Sequence, residues 1–200
     1  MSGGFSEAER ERIHRQLLEE GRDLFAQFGP KKTTIADLTD AVGIANGTFY
    51  QFYDSKMDLY VEILEREGER ILPEILAPLE EHDDAEAAIV AFLTGLMDEI
   101  ETNPLVERLL VEPEEMAMLR EYHTEAELEA DRQESLAYFL PHVEGWYEAG
   151  EVHGPSPELV ANAIRAVSFL TLHREDIGEA EYRETRDLVI RAVARGLTAG

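Results

Sequence analysis

Helical spacing, broken at intervals by glycine and proline, constrains this chain more than any other feature. Apolar residues recur three and four apart in almost every segment, and no period-two alternation persists, which selects an all-α fold. A first helix is predicted over about residues 7–28, with Ile13, Leu17, Leu24, Phe25 and Phe28 on one side. Gly29-Pro30 then stops it. Thr34-x-x-Asp37 is a capping-box variant opening a short helix with Ile35, Leu38 and Val42 inward, and Gly43 supplies a turn. A second short helix carries Phe49, Tyr50 and Tyr53, with Phe49 and Tyr53 assigned to the core. Ser55-x-x-Asp58 caps a longer helix over about residues 56–71. Pro73, Pro78 and the acidic stretch 80–84 read as a linker, dividing the chain into residues 1–72 and 73–200. Beyond it, helices are expected over about 84–102, 105–110, 114–148, 157–173 and 180–197, the third kinked or split at Pro141.

Charge narrows the reading in an unusual way. Aspartate and glutamate number 43 against 18 lysines and arginines, for a formal net charge of −25. Such a balance ordinarily argues against a nucleic-acid partner, because phosphate binding needs cations. Its distribution matters more than its sum. Between Leu24 and Lys56, three aspartates (Asp37, Asp40, Asp54) balance Lys31, Lys32 and Lys56, which are all the lysines the chain has. From Pro73 onward, 29 acids face 9 arginines. The acids are spread along helices and not run in blocks, as an acidic tail would have them. We read them as adaptation to a salt-rich, halophilic cytoplasm, consistent with the scarcity of lysine. The absence of cysteine removes disulfides, thiolate metal sites and a cysteine nucleophile. No apolar run is long enough to span a bilayer and the first residues lack a signal-type apolar core, so a cytoplasmic location away from membranes is expected.

The segment TTIADLTDAVGIANGTFYQFYDSK, residues 33–56, carries the function. Its two helices are too short to stand alone and need a third to pack on, which the first helix provides. That is the anatomy of a helix-turn-helix, whose second helix enters the major groove of duplex DNA. Ala45, Gly47 and Thr48 leave the front of that helix open to base edges. Asn46 and Gln51 bring amides able to read adenine, and Thr48 brings a hydroxyl and a methyl. Tyr50 offers a phenolic donor to phosphate. Lys56 and Thr34 lie at helix starts, whose free N–H groups favour an anion. The wider pattern FGP-x₂-TT-x₂-DL-x₃-VGIANGTFYQFYDSKMDLY resembles the DNA-binding domain of TetR-family transcriptional repressors. The resemblance is close over the first 60-odd residues and extends further only in the helix plan. It implies a homodimer on a pseudo-palindromic operator, paired through its last two helices, with a C-terminal domain that binds a small-molecule effector. It also places Thr34, Ala45, Asn46, Gly47, Thr48, Tyr50, Gln51 and Lys56 at the positions that meet DNA. Most relatives have serine where this chain has Ala45, so Asn46 is expected to take over the cap of the second helix.

In the C-terminal part, Ile164, Val167, Leu170 and Thr171, with Leu188, Val189, Ala192 and Val193, form apolar stripes read as the dimer face. Phe92, Met97, Met118, Tyr122, His123, Tyr138, His142, Trp146 and Phe169 are candidates for an effector pocket, although aromatic and methionine side chains at helical spacing serve equally as plain core. No HExxH, P-loop, GxGxxG or GxSxG motif is present, so no catalytic residues, cofactor or metal are expected. The rival reading is a helical scaffold or adaptor that kept the helix-turn-helix shape without binding DNA, and the lysine-bearing neutral segment speaks against it.

Overall fold

A computed structural model describes residues 5–127 and 137–199. Among the described residues every regular element is helical. α1 (Glu7–Lys32) starts at a full capping box between Ser6 and Glu9 and buries Ile13, Leu17, Leu18 and Phe25. Gly29, at φ 75°, breaks its path, and one further turn reaches Lys32. The stop expected at Gly29-Pro30 is therefore a kink. Thr33 closes the kinked end, its hydroxyl donating to the Gly29 carbonyl at 2.8 Å. One residue later, Thr34 and Asp37 form the predicted capping box of α2 (Ile35–Val42). Gly43, at φ 74°, makes the left-handed turn that ends α2. α3 (Asn46–Phe49) continues as backbone turns to Tyr53.

α4 (Lys56–Glu81) opens with the predicted Ser55–Asp58 box and runs ten residues beyond its expected end. The linker read at Pro73 and Pro78 is corrected here, because both prolines lie inside this helix. Each removes a backbone donor, but Ile71, Ile75 and Leu79 recur every fourth residue and bury against the C-terminal helices, which holds the segment helical. Further helices among the described residues are α5 (Ala85–Thr102), α6 (Pro104–Val111), α7 (Pro113–Tyr122), α8 (Leu140–Ala149), α9 (Pro157–Val167), α10 (Arg174–Ile177) and α11 (Glu179–Thr198), with a 3-10 turn, Ser168–His173, after α9. The long helix expected over 114–148 is not continuous. α7 ends at His123, whose backbone is extended, and Pro141 sits in the first turn of α8, where its missing N–H costs nothing. Residues 128–136 of that expected helix lie outside the described residues.

Two apolar cores divide along α4. The first joins Ile13, Leu17, Phe25, Leu38, Phe49, Leu59, Tyr60 and Ile63, and Leu105 of α6 plugs into it. The second joins Ile75 and Leu79 to Ile89, Phe92, Leu93, Met97, Phe139, Val143, Ile164, Tyr182 and Ile190. Each of these fully buried side chains contributes roughly 1.5–3 kcal/mol relative to exposure. The apolar stripes assigned to a dimer face need correcting. Ile164, Val167 and Thr171 are buried within the protomer, and Leu170, Val189 and Val193 pack against the same core. The large apolar side chains left facing outward on these elements are Leu159, Phe169, Leu172 and Leu188, and of the expected stripes only Leu188 and Ala192 are exposed.

Candidate nucleic-acid interface

α2 and α3 rest on α1 through Leu38 and Phe49, both fully buried, so the opposite side of α3 is free of the protein. That side carries Ala45, Asn46, Gly47, Tyr50 and Gln51, all exposed, with Thr48 half-buried between them. Six of the eight residues predicted to meet DNA thus share one continuous surface. Nothing lies within 4 Å of where a Cβ on Gly47 would be, so its smallness opens space for an approaching partner and not for packing within the chain.

Tyr50 is 57% exposed and braced edge-on by the Phe49 ring at 5.7 Å. Asn46 does not act as the cap. Ala45 holds the N-cap position with no side-chain bond, and Asn46 sits one residue into the helix. Its Oδ1 accepts a hydrogen bond from the hydroxyl of Thr39. Thr39 is fully buried in α2, and the Ile35 and Ala36 carbonyls also lie within bonding distance of its single O–H. The two short helices are thereby pinned by a polar contact that spacing alone did not reveal, and the Asn46 amide NH₂ is left for an outside acceptor.

Two expected phosphate contacts are engaged inside the protein. The Lys56 ammonium donates to the Thr33 carbonyl at 2.7 Å, and burial lowers its pKa. It ties the start of α4 to the end of α1, with two N–H donors left over. The Thr34 hydroxyl is committed to Asp37 at 2.6 Å. Lys31 is paired with Glu114 of α7 at 2.5 Å, whereas Lys32 is exposed.

Sequence reasoning missed the supports behind the recognition helix. The Tyr53 hydroxyl lies 2.8 Å from both the Glu62 carboxylate and His14 Nε2, joining α1, the turn after α3, and α4. Burial, then the Glu62 bond, raises the phenol's pKa and keeps it neutral. Arg10, in the first turns of α1, donates to the Gln51 carbonyl at 3.0 Å, with its guanidinium 5.0 Å from the Phe52 ring centre. A hint was available in the i, i+4 placement of Arg10 and His14 beside the apolar stripe of α1.

Polar contacts also join this region to the rest of the molecule. Glu67, 5% exposed, takes a two-pronged bond from Arg22 of α1 at 2.8 Å, with further bonds from Arg70 and from Asn103, which caps α6. Arg22 is the largest of the effects that lower the Glu67 pKa to about 2. Glu115 of α7 accepts from Arg108 at 2.7 Å and Tyr60 at 3.1 Å, and presses on the kink at Gly29, where any Cβ would collide with it. Burial outweighs these partners and raises the Glu115 pKa.

The residues expected to line an effector pocket are divided. Phe92 stacks on Phe139 at 4.7 Å and Met97 is fully buried, both in the C-terminal core. His142 and Trp146 lie on one face of α8 with rings 6.4 Å apart, and Tyr138 just before them is exposed. Met118, Tyr122 and His123 lie instead on and just after α7. The Tyr122 hydroxyl donates to Asp58 at the start of α4, a bond that leads in raising its pKa to about 12. Phe169 is 52% exposed on the 3-10 turn. A groove of about 340 Å³ between α1 and α4, lined by Leu18, Arg22, Ile63, Arg66, Glu67 and Arg70, involves none of them.

A short helix with an open polar face, braced by two helices and carried on a helical body, has the arrangement of a helix-turn-helix. Comparison with known proteins narrows this. Residues 17–63 match the family model described as bacterial regulatory proteins of the tetR family. The HTH-type transcriptional repressor KstR2 of Rhodococcus jostii is 43% identical over 49 residues, 24% of each chain. The chain aligns with less than half the length of the curated relatives it matches. Over nearly its full length it shares a fold with TetR regulators of solved structure. One from Pectobacterium atrosepticum superimposes with a TM-score of 0.74 at 16% identity, covering 98% of this chain and 99% of that one. One from Haloarcula marismortui does so with a TM-score of 0.72 at 20% identity, covering 94% and 98%.

Proposed function

We propose that the protein is a TetR-type transcriptional repressor that binds a pseudo-palindromic operator as a homodimer and is released by a small-molecule effector. The observation that carries the reading is the shared exposed surface of Ala45, Asn46, Gly47, Tyr50 and Gln51 on a braced recognition helix. Phosphate contacts position such a helix and base contacts specify its site. Asn46 and Gln51 are the base readers, with Thr48 packing beside them, and Tyr50 is a phosphate contact.

The dimer face is the outward apolar surface of α9, the 3-10 turn and α11, where Leu159, Phe169, Leu172 and Leu188 are exposed. Pairing two copies sets two recognition helices about 34 Å apart, one turn of duplex, and doubles the contact. The effector site belongs in the body beside α5 and α8, near Phe92, Met97, His142 and Trp146. Regulation, not catalysis, is the role assigned, in a salt-rich cytoplasm where a dense carboxylate surface keeps the chain soluble.

Selection of bound fragments from random and genomic duplexes tests this reading, with promoter fragments of the gene itself included. Enrichment of a two-fold symmetric sequence supports it. Trp146 is the chain's one tryptophan, so its fluorescence reports ligands screened against the body. Failure to enrich any duplex would favour the scaffold reading.

A further inference from the structure

We infer that Arg10, at the start of α1, is a phosphate-contacting residue of the DNA interface, adding a cation to those that Lys32 and Lys56 bring to the helix-turn-helix. The inference rests on the DNA-binding reading above. Of the three lysines in and beside the motif, Lys31 is paired with Glu114, Lys56 bonds the neutral Thr33 carbonyl, and Lys32 is exposed. With so few cations near it in so acidic a molecule, a recognition helix that reaches DNA gains from a further positive charge held beside it.

Of the other α1 arginines, Arg12 bonds Gln16 on its own helix, Arg15 is exposed, and Arg22 is committed to Glu67. Arg10 is the one that crosses to the recognition segment. Its Nη2 donates to the Gln51 carbonyl, and its guanidinium lies over the Phe52 ring. A guanidinium carries five N–H donors in a rigid fork, and one acceptor uses only part of it. The aromatic face and the carbonyl fix its position beside two exposed residues, Tyr50 and Gln51, without neutralising it. No carboxylate bonds Arg10 among the described residues. That leaves its charge for a partner, beside the residues proposed to meet the duplex. A phosphate flanking the bases under Gln51 completes the fork with charge-assisted bonds.

The test compares wild type, Arg10→Ala and Arg10→Lys on one selected operator across a salt series, with thermal unfolding measured for each. Each neutralised phosphate adds about 0.9 to the slope of log affinity against log salt. Arg10→Ala is therefore expected to make that slope shallower by roughly two for a dimer and to weaken binding at least tenfold at low salt. Arg10→Lys is expected to keep the slope while losing part of the affinity. Weakened binding with an unchanged slope would mean that Arg10 only holds the turn at Gln51, and would overturn the inference. So would unchanged affinity in a folded Arg10→Ala protein. If wild type binds no duplex at all, the DNA-binding reading falls first, and this one with it.

Discussion

Glu67 shows how much one side chain can carry in this fold. It is nearly buried, and three donors on three elements converge on it: Arg22, Arg70 and Asn103. Its carboxyl is held at about 2, below the usual 4.5. A carboxylate whose folded pKa is depressed contributes stability above its unfolded value, and that stability is lost as pH falls toward the folded one. The contribution is on the order of 3 kcal/mol at neutral pH and disappears between about pH 5 and pH 2. Glu115 acts with the opposite sign, since its pKa is raised and protonation favours the folded state. Glu67→Gln is therefore expected to lower stability at pH 7 and to flatten its decline between pH 5 and pH 3, as read by urea unfolding across pH. An unchanged pH profile would remove Glu67 from this role. None of this was legible in the sequence. A glutamate in the middle of an amphipathic helix reads as solvated surface until packing brings Arg22, 45 residues earlier, against it.

At the scale of elements, local chemistry announced itself where its partners lie within a few residues. The boxes at Thr34 and Ser55, the left-handed Gly43 and the apolar faces of α1 and α2 lie where spacing placed them, except that Phe28, read as part of the α1 face, is exposed just before the kink at Gly29. What spacing missed depends on distant packing. α4 passes through two prolines because Ile75 and Leu79 are held by the C-terminal core, and Asn46 gives up capping because Thr39 of α2 claims its amide oxygen. The surface of α3 was readable because exposed residues need no partner to be identified, whereas Arg10 became part of it only when α1 and the turn at Gln51 met. Base reading belongs to this scale. Gln51→Ala is expected to change the ranking of operator variants by about 1–3 kcal/mol at the affected base, while Tyr50→Phe weakens every operator alike. Equal losses across all operators for Gln51→Ala would take it off the base-reading surface.

At the scale of the whole molecule, charge and symmetry govern. The outward Phe169 and Leu188 are the residues to disrupt in a dimer, because Leu170 and Val189 pack into their own core. Phe169→Asp with Leu188→Asp is expected to give folded monomers in sedimentation and to weaken operator binding. A double variant that remains a dimer of ordinary stability would move the interface elsewhere. The net charge of −25 predicts an unusual response to salt. With only three lysines, one of them paired with Glu114, few phosphates are neutralised per subunit, and the acidic body repels DNA at low salt. Near 1 M salt the Debye length is about 3 Å, which removes that repulsion and leaves short-range hydrogen bonds in place. Binding is expected to persist to about 1 M KCl, where a basic regulator neutralising 6–10 phosphates loses affinity by about 10³–10⁵ between 50 and 200 mM salt. A steep monotonic loss by a protein that stays folded would refute the salt-adapted reading of its surface.

The central claim is that the open face of α3 recognises duplex DNA. Its most direct test is the affinity of wild type and of a Tyr50→Ala, Gln51→Ala double variant for a selected operator, with unfolding temperatures compared. Both residues are exposed, so the fold is expected to survive their loss. The account predicts tight binding by wild type and at least a hundredfold loss in the variant at equal thermal stability. Equal affinity in the two proteins, or no binding by wild type to any duplex, would contradict it.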